Sequence, residues 1–95
     1  MQFLVIARDA PGPDVAARRK RMRESHLASL KKLRSFGQLV MAGALQNEDG
    51  ETIGSTVVFD FPDRAALDAY LQTEPFVEGK VWDQIEIYPF RVAPV

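Results

Sequence analysis

Three segments of this chain are apolar on both faces of any strand that they could form. Residues 3–7, 39–45 and 57–61 carry apolar side chains at nearly every position, without the regular polar alternation of a half-exposed strand. Such runs are typical of strands that are covered on both faces. A chain of 95 residues must therefore bury both sides of a sheet with very little additional structure.

Turn and helix signals divide the rest of the chain. Pro11-Gly12-Pro13 interrupts the first strand, and Asp14 stands where an N-cap would open a helix. Gly37 is placed to end that helix in the left-handed conformation, and Asp49-Gly50 is a hairpin signal. The predicted order is βαββαβ, with strands at residues 3–7, 38–45, 52–61 and 83–92 and helices at residues 15–36 and 64–73.

This order predicts an α+β fold of the ferredoxin-like type, with a four-stranded antiparallel sheet and both helices on one face. Residues 1–95 are expected to form one domain, because the chain is too short for two stable cores. Two helices leave the second, equally apolar face of the sheet open. A second copy of the chain is the simplest cover, so we expect a homodimer packed through the open sheet faces.

Composition excludes several functions. The net charge of -1 argues against nonspecific binding to nucleic acid, and the predicted central strands lack the basic and aromatic residues of an RNA-binding sheet, although Trp82, Tyr88 and Phe90 have an exposed pattern. One histidine and no cysteine make a metal site improbable, and no cofactor is expected. The apolar start of the chain is too short for a membrane span or a signal segment, so a cytoplasmic protein without membrane contact is expected.

One histidine stands out on the first predicted helix. His26 lies within the apolar stripe of that helix, with Arg19 one heptad earlier and Arg23 at the edge of the same side. Burying these groups without partners costs several kcal/mol. One interpretation is structural: His26 is a hydrogen-bonded core residue, and the arginines extend to solvent or pair with acids. The other is a small cavity in which His26 moves a proton and an arginine holds an anionic oxygen.

Glu74 is the candidate partner of that histidine. It precedes Pro75, which removes Glu74 from the second predicted helix and holds it in a rigid corner. A carboxylate there would orient an imidazole and fix its tautomer. A solvated glutamate at a helix stop is the alternative.

Several of these features together resemble the YCII-related (YciI-like) family. The residues concerned are the apolar first strand, Arg23-Glu24-Ser25-His26-Leu27, Gly37 with residues 39–43, Gly54-Ser55, Glu74-Pro75-Phe76 and Tyr88-Pro89-Phe90. The resemblance covers almost the whole chain. It implies a dimeric α+β barrel, a fold shared with muconolactone isomerase-like enzymes and antibiotic-biosynthesis monooxygenases.

The resemblance also implies a site. By position, His26 is the family histidine and Glu74 the family carboxylate, which makes both catalytic candidates, while Arg23, Arg19 and Ser55 are candidates for binding substrate. Glu74 replaces the aspartate of the family pattern and is one methylene longer. Ala44 stands where the family usually has proline.

Three functions remain open at this point. The first is a small cofactor-free enzyme of the lyase or isomerase class, including dehydrochlorinase-like activity, acting on a small anionic or phenolic substrate, since some family members eliminate halide from hydroxylated chloroaromatics. The second is a non-catalytic dimeric module that binds a small molecule or a protein. The third, less favoured, is a monooxygenase that uses neither haem nor flavin.

Overall fold

All 95 residues are described by the computed structural model, which has four strands and three helices. The strands are β1 (Gln2–Asp9), β2 (Leu39–Gln46), β3 (Thr52–Asp60) and β4 (Trp82–Phe90), and the helices are α1 (Val15–Ser35), α2 (Arg64–Leu71) and α3 (Pro75–Glu78).

The four strands form one antiparallel sheet in the order β2-β3-β1-β4. The central strands are β1 and β3, where Val5 pairs with Val57 on one side and with Ile87 of β4 on the other. This topology confirms the predicted ferredoxin-like fold. The apolar runs at residues 3–7 and 57–61 lie on these two central strands, whereas the run at residues 39–45 lies on the edge strand β2.

The helices cover one face of this sheet. Leu30 and Leu33 of α1, Leu67 of α2 and Phe76 of α3 belong to one buried core cluster together with Val57 on β3. Gly37 follows α1 with φ of +71°, as predicted, and the Asp63 carboxylate caps α2 by accepting the Ala66 N–H at 2.8 Å. The core therefore lies between the helices and a single sheet face.

Asp14 occupies the N-cap position of α1, but the expected capping bond is absent. Its backbone is already helical, with φ of −90° and ψ of −11°, and its side chain accepts no hydrogen bond from the first turn. A capping side chain ordinarily extends from a non-helical backbone. The prediction of Asp14 as the N-cap residue is confirmed, but the predicted hydrogen bond from its side chain is wrong.

Two features of the last third of the chain differ from the prediction. The second helix ends at Leu71, two residues earlier than predicted, and Pro75 opens the four-residue helix α3, consistent with the preference of proline for the first helical position. Trp82, which the sequence pattern suggested was exposed, is buried at 5% exposure and belongs to the core. It is therefore not available for stacking on RNA bases.

The second face of the sheet carries no helix. By strand alternation this open face presents Leu4 and Ile6 of β1, Val58 of β3, Met41 of β2 and, at the β4 edge, Tyr88 and Phe90. Met41, Tyr88 and Phe90 are 49%, 46% and 41% exposed, respectively. The chain alone leaves an apolar face in contact with solvent.

Candidate active site

His26 lies in the middle of α1 on the side that faces the core, and only 6% of it is exposed. Its ring stacks on Phe76 with centroids 3.9 Å apart and planes 10° apart. The Trp82 ring meets the imidazole edge-on at 5.7 Å. These two aromatic contacts hold the plane of the imidazole nearly fixed.

Glu74 is wholly buried, with an exposure of 0%. It is the N-cap residue of α3, and its extended backbone turns the side chain back over the helix start, where Oε1 accepts the Phe76 N–H at 3.0 Å. The same oxygen is 2.5 Å from Nδ1 of His26. The solvated alternative for Glu74 was therefore wrong, because a carboxylate without water needs partners and these groups provide them.

The second oxygen of Glu74 is also bonded. Oε2 accepts the hydroxyl of Tyr70 at 2.7 Å, so the carboxylate receives a backbone N–H, a tyrosine O–H and an imidazole N–H. Three donors stabilise the ionised carboxylate, and its complete burial keeps both oxygens away from a substrate. Glu74 is thus built to orient and charge-balance the imidazole.

With Nδ1 bonded to Glu74, the ring presents Nε2 on its other side. This nitrogen has no hydrogen-bond partner within the chain. Asp9 Oδ1 is the only fully buried side-chain nitrogen or oxygen without a partner, so Nε2 must retain some exposure to solvent. A carboxylate on Nδ1 fixes the tautomer in which neutral Nε2 carries the lone pair. His26 therefore has the arrangement of a general base.

A cavity of about 250 Å³ lies beside this imidazole, between α1 and the edge of the sheet formed by β2 and β3. Its lining consists of Arg19, Arg23, His26, Leu27, Leu30, Ala42, Gly43, Ala44, Ser55 and Val57. The β2 wall is made of small residues, which leaves the cavity room for a single substituted ring, since a pocket of about 150 Å³ accommodates benzene.

Arg19 reaches the cavity from the first half of α1. Its guanidinium bonds the Asp9 carboxylate at 2.9 Å, the Gly54 carbonyl at 3.0 Å and Ser55 Oγ at 2.7 Å, and it lies 4.7 Å from the centroid of the Phe76 ring. Four contacts from three elements hold this charge in one place. Arg19 is consequently a rigid cation at the cavity wall.

Ser55 Oγ receives a second donor, the Trp82 indole N–H, at 3.1 Å. Both of its protein partners, Arg19 and Trp82, deliver a hydrogen to the oxygen. The hydroxyl hydrogen of Ser55 is therefore left to donate to an acceptor in the cavity that the residue lines.

Arg23 differs from the expected inward-facing group. Arg23 is exposed, and its side chain makes no hydrogen bond or ion pair within the chain. It contributes to the cavity wall from the rim. The structure thus brings His26, Glu74, Arg19 and Ser55 together and places Arg23 at the entrance.

Sequence reasoning missed Asp9, Tyr70 and Trp82 as parts of this arrangement. Tyr70 precedes Glu74 by four residues, the helical neighbour spacing, but Pro75 concealed that signal because it marks a helix stop. Asp9 ends β1, and nothing in its neighbours indicates Arg19. No group of three or more histidine or acidic side chains is positioned to hold a metal ion.

The family model of the YCII-related domain matches residues 1–91. This chain belongs to the YCII-related domain family. Protein YciI of Escherichia coli is 30% identical over 97 aligned residues, which cover 96% of this chain and 97% of that protein. The family resemblance inferred from the residues is therefore confirmed.

Two solved structures share the fold. One is 5-chloro-2-hydroxyhydroquinone dehydrochlorinase (TftG) from Burkholderia phenoliruptrix, in complex with 2,5-dihydroxybenzoquinone; it has a TM-score of 0.83 and 18% identity, covering 98% of this chain and 96% of that one. The other is a dimeric ferredoxin-like protein from Jannaschia, with a TM-score of 0.51 and 17% identity, covering 96% and 98% respectively. No helix of this YCII-related protein has the length and apolar character needed to span a membrane.

Proposed function

We propose that this protein is a small enzyme that moves a proton on a single-ring phenolic or anionic substrate, with His26 as general base and Glu74 as the carboxylate that orients it. The observation that carries this proposal is the free Nε2 of His26 beside a cavity, with Nδ1 held by a wholly buried carboxylate. A histidine kept only for packing would not need a buried charge on one nitrogen and an unbonded second nitrogen.

The cavity wall favours an oxygen-bearing substrate. Arg19 and Arg23 provide positive charge, and the Ser55 hydroxyl is left as a donor, so a phenolate or carbonyl oxygen would be bound from two directions. Charge that develops on that oxygen during proton removal would be stabilised by the same groups. Leu27, Leu30 and Val57 provide the apolar contact that a ring requires.

A histidine that removes and returns protons could carry out two reactions. In an isomerisation, His26 removes a proton from one atom and returns it to another atom of the same molecule. In an elimination, one ring hydroxyl gives up its proton and the chlorine-bearing carbon is protonated, which forms the keto tautomer. Removal of a second hydroxyl proton then moves that O–H electron pair into the ring and expels chloride, so that one equivalent of HCl is lost and a hydroxylated quinone forms. Neither reaction consumes an oxidant or a reductant, and TftG makes chlorinated hydroxyhydroquinone the first substrate to test.

The decisive experiment measures chloride release and the substrate's absorbance change for the wild type, His26→Ala and Glu74→Gln with 5-chloro-2-hydroxyhydroquinone and other hydroxylated aromatics. We expect His26→Ala to abolish turnover while the protein stays folded, and Lys32→Ala, at an exposed residue of α1 outside the cavity lining, to leave turnover unchanged. Undiminished turnover in His26→Ala would overturn the proposal. Tight ligand retention without turnover in the wild type would indicate the binding-module alternative.

We further propose that the open sheet face pairs with a second copy of the chain. The apolar side chains of that face support a dimer, as does the dimeric ferredoxin-like neighbour from Jannaschia. Sedimentation should give a dimer for the wild type and a monomer for Met41→Glu. Phe36→Glu, a matched change at an exposed residue at the end of α1, should leave the dimer intact. A monomeric wild type at micromolar concentration would refute this assembly.

A further inference from the structure

Tyr70 is the contact of Glu74 that the proposed chemistry does not use. It lies on α2, four residues before Glu74, with its hydroxyl 2.7 Å from Glu74 Oε2 and 2.8 Å from Ser29 Oγ on α1. Its ring packs at 5.5 Å against Phe59 and at 5.8 Å against Phe61. The ring is anchored in the core, and the hydroxyl bridges α1 to the carboxylate.

The direction of the hydrogens along this bridge follows from the chemistry of Glu74. An ionised carboxylate only accepts, so the single hydroxyl hydrogen of Tyr70 is donated to Oε2. The Ser29 hydroxyl must then donate to the Tyr70 oxygen. The chain of bonds runs Ser29 to Tyr70 to Glu74 to His26, with every donor directed toward the negative charge.

Burial raises the pKa of Tyr70 above its ordinary value of 10.0, the hydrogen bond and charge of Glu74 raise it further, and the bond from Ser29 opposes the shift. Tyr70 is therefore protonated throughout the neutral range. It can donate to Glu74 whatever the protonation state of His26.

The length of Glu74 gives this bond its significance. A glutamate has one more rotatable bond than an aspartate, and the contacts of Oε1 with Phe76 N–H and His26 fix only one of its two oxygens. The Tyr70 hydroxyl fixes the other. Both oxygens of the longer side chain therefore have partners that hold its terminal torsion.

We propose that Tyr70 is a positioning residue that locks the glutamate of this chain into line with His26 and stabilises it as an anion. This inference rests on the proposed function, and it adds a group outside the cavity, since Tyr70 is not part of the cavity lining. Loss of its hydroxyl should therefore impair proton transfer without weakening substrate binding.

The charged and titratable groups around His26 define how such a change is measured. Glu74 and Tyr70 face its Nδ1 side, while Arg19 and Arg23 face the cavity. The hydrogen bond from Tyr70 is strongest when His26 is neutral, because the His26–Glu74 pair then carries a full negative charge. Removing the hydroxyl destabilises that form most, so the imidazole should lose its proton at higher pH. Glu74→Gln removes the negative charge itself and should move the midpoint of the His26 titration to lower pH.

The experiment compares Tyr70→Phe in the wild type and in Glu74→Asp, with Ser29→Ala as the matched deletion of a hydroxyl one bond further from the carboxylate. The single histidine gives one NMR titration, and the same proteins are assayed for kcat and KM with 5-chloro-2-hydroxyhydroquinone. In the wild type we expect Tyr70→Phe to lower kcat about tenfold, to leave KM within about twofold and to raise the His26 midpoint. In Glu74→Asp, whose shorter carboxylate we expect to lose its bond to the hydroxyl, Tyr70→Phe should change neither kcat nor the His26 midpoint.

Two results would overturn the inference. One is an unchanged His26 midpoint and kcat in Tyr70→Phe, and the other is that Tyr70→Phe changes both quantities equally in the wild type and in Glu74→Asp. Ser29→Ala should have a smaller effect than Tyr70→Phe, and an equal or larger effect would mean that the bridge serves packing. If the wild type turns over none of the substrates, the proposed function fails, while the histidine titrations still decide whether Tyr70 positions Glu74.

Discussion

Asp9→Ala is the most informative test of how the cavity wall is built. The Asp9 carboxylate is the only acidic partner of Arg19, at 2.9 Å, and the two side chains are 8% and 17% exposed. Removing the carboxylate leaves a guanidinium that is mostly shielded from water and has no counter-charge. The bonds of Arg19 to the Gly54 carbonyl and to Ser55 Oγ remain, so the charge is solvated only in part.

The size of the effect follows from this geometry. Two unit charges 2.9 Å apart attract by about 6 kcal/mol at an effective dielectric constant of about 20, which is an upper bound. One term opposes the loss: Asp9 Oδ1 is buried without a hydrogen-bond partner, and burying such an atom costs about 1–3 kcal/mol. The difference is about 3–5 kcal/mol, which agrees with the usual cost of breaking a buried pair from one side. Because the Coulomb figure is an upper bound, we expect the lower value, about 3 kcal/mol.

The assay is urea unfolding at one fixed protein concentration, supported by thermal melting. A loss of about 3 kcal/mol should lower the melting temperature by about 12–24 °C in a domain of this size. The control is Asp9→Ala combined with Arg19→Met, which removes both charges. Because the double variant leaves no unpaired charge, it should be more stable than the sum of the two single losses predicts, by about 2 kcal/mol. A single-variant loss below about 0.5 kcal/mol, or strictly additive losses, would refute the account of Arg19 as a buried, paired cation.

Two further predictions concern the sheet and the pH dependence of stability. A Cβ at Gly54 would lie 2.2 Å from the Ala7 carbonyl oxygen, so Gly54→Ala should lower the free energy of unfolding in urea by more than about 2 kcal/mol. The control is Gly43→Ala, whose Cβ meets nothing within 4 Å. Equal losses of stability in the two variants would contradict the steric reason. The raised pKa of Tyr70 means that the unfolded chain releases this proton first, so stability should fall as pH rises above 10.0, by less than about 1.4 kcal/mol per pH unit because Tyr70 is only partly buried. Unfolding at pH 9 to 11 should show a flatter decline for Tyr70→Phe than for the wild type, and parallel curves would contradict this prediction.

Much of the fold could be predicted because its signals are local. Positive φ at Gly37 and Gly50 occurs where the sequence indicated a helix end and a hairpin turn. The three apolar runs predicted β1, β2 and the second half of β3, and the number of helices predicted one open face. In each case the deciding physics acts among residues that are close in the chain, so a short window of sequence contains it.

The helix α3 escaped prediction for a related reason. Proline ends one helix and begins another with the same fixed φ, and a four-residue helix has too few positions to show a period. Trp82 was misjudged because the alternation of β4 does not reveal that α1 and α3 cover its first residue. The burial of an edge strand depends on what packs over it.

The site shows where the sequence reaches its limit. The sequence by itself determined that a histidine would sit on the inner side of α1 and that a proline would hold a glutamate at a corner. Only the tertiary structure decided that these residues meet, 48 positions apart, that the Tyr70 hydroxyl bonds the carboxylate, and that Asp9 pairs with Arg19. Helical and strand periodicity specify which way a side chain points, whereas the partner it meets depends on how separate elements pack, and that information is spread over the whole chain.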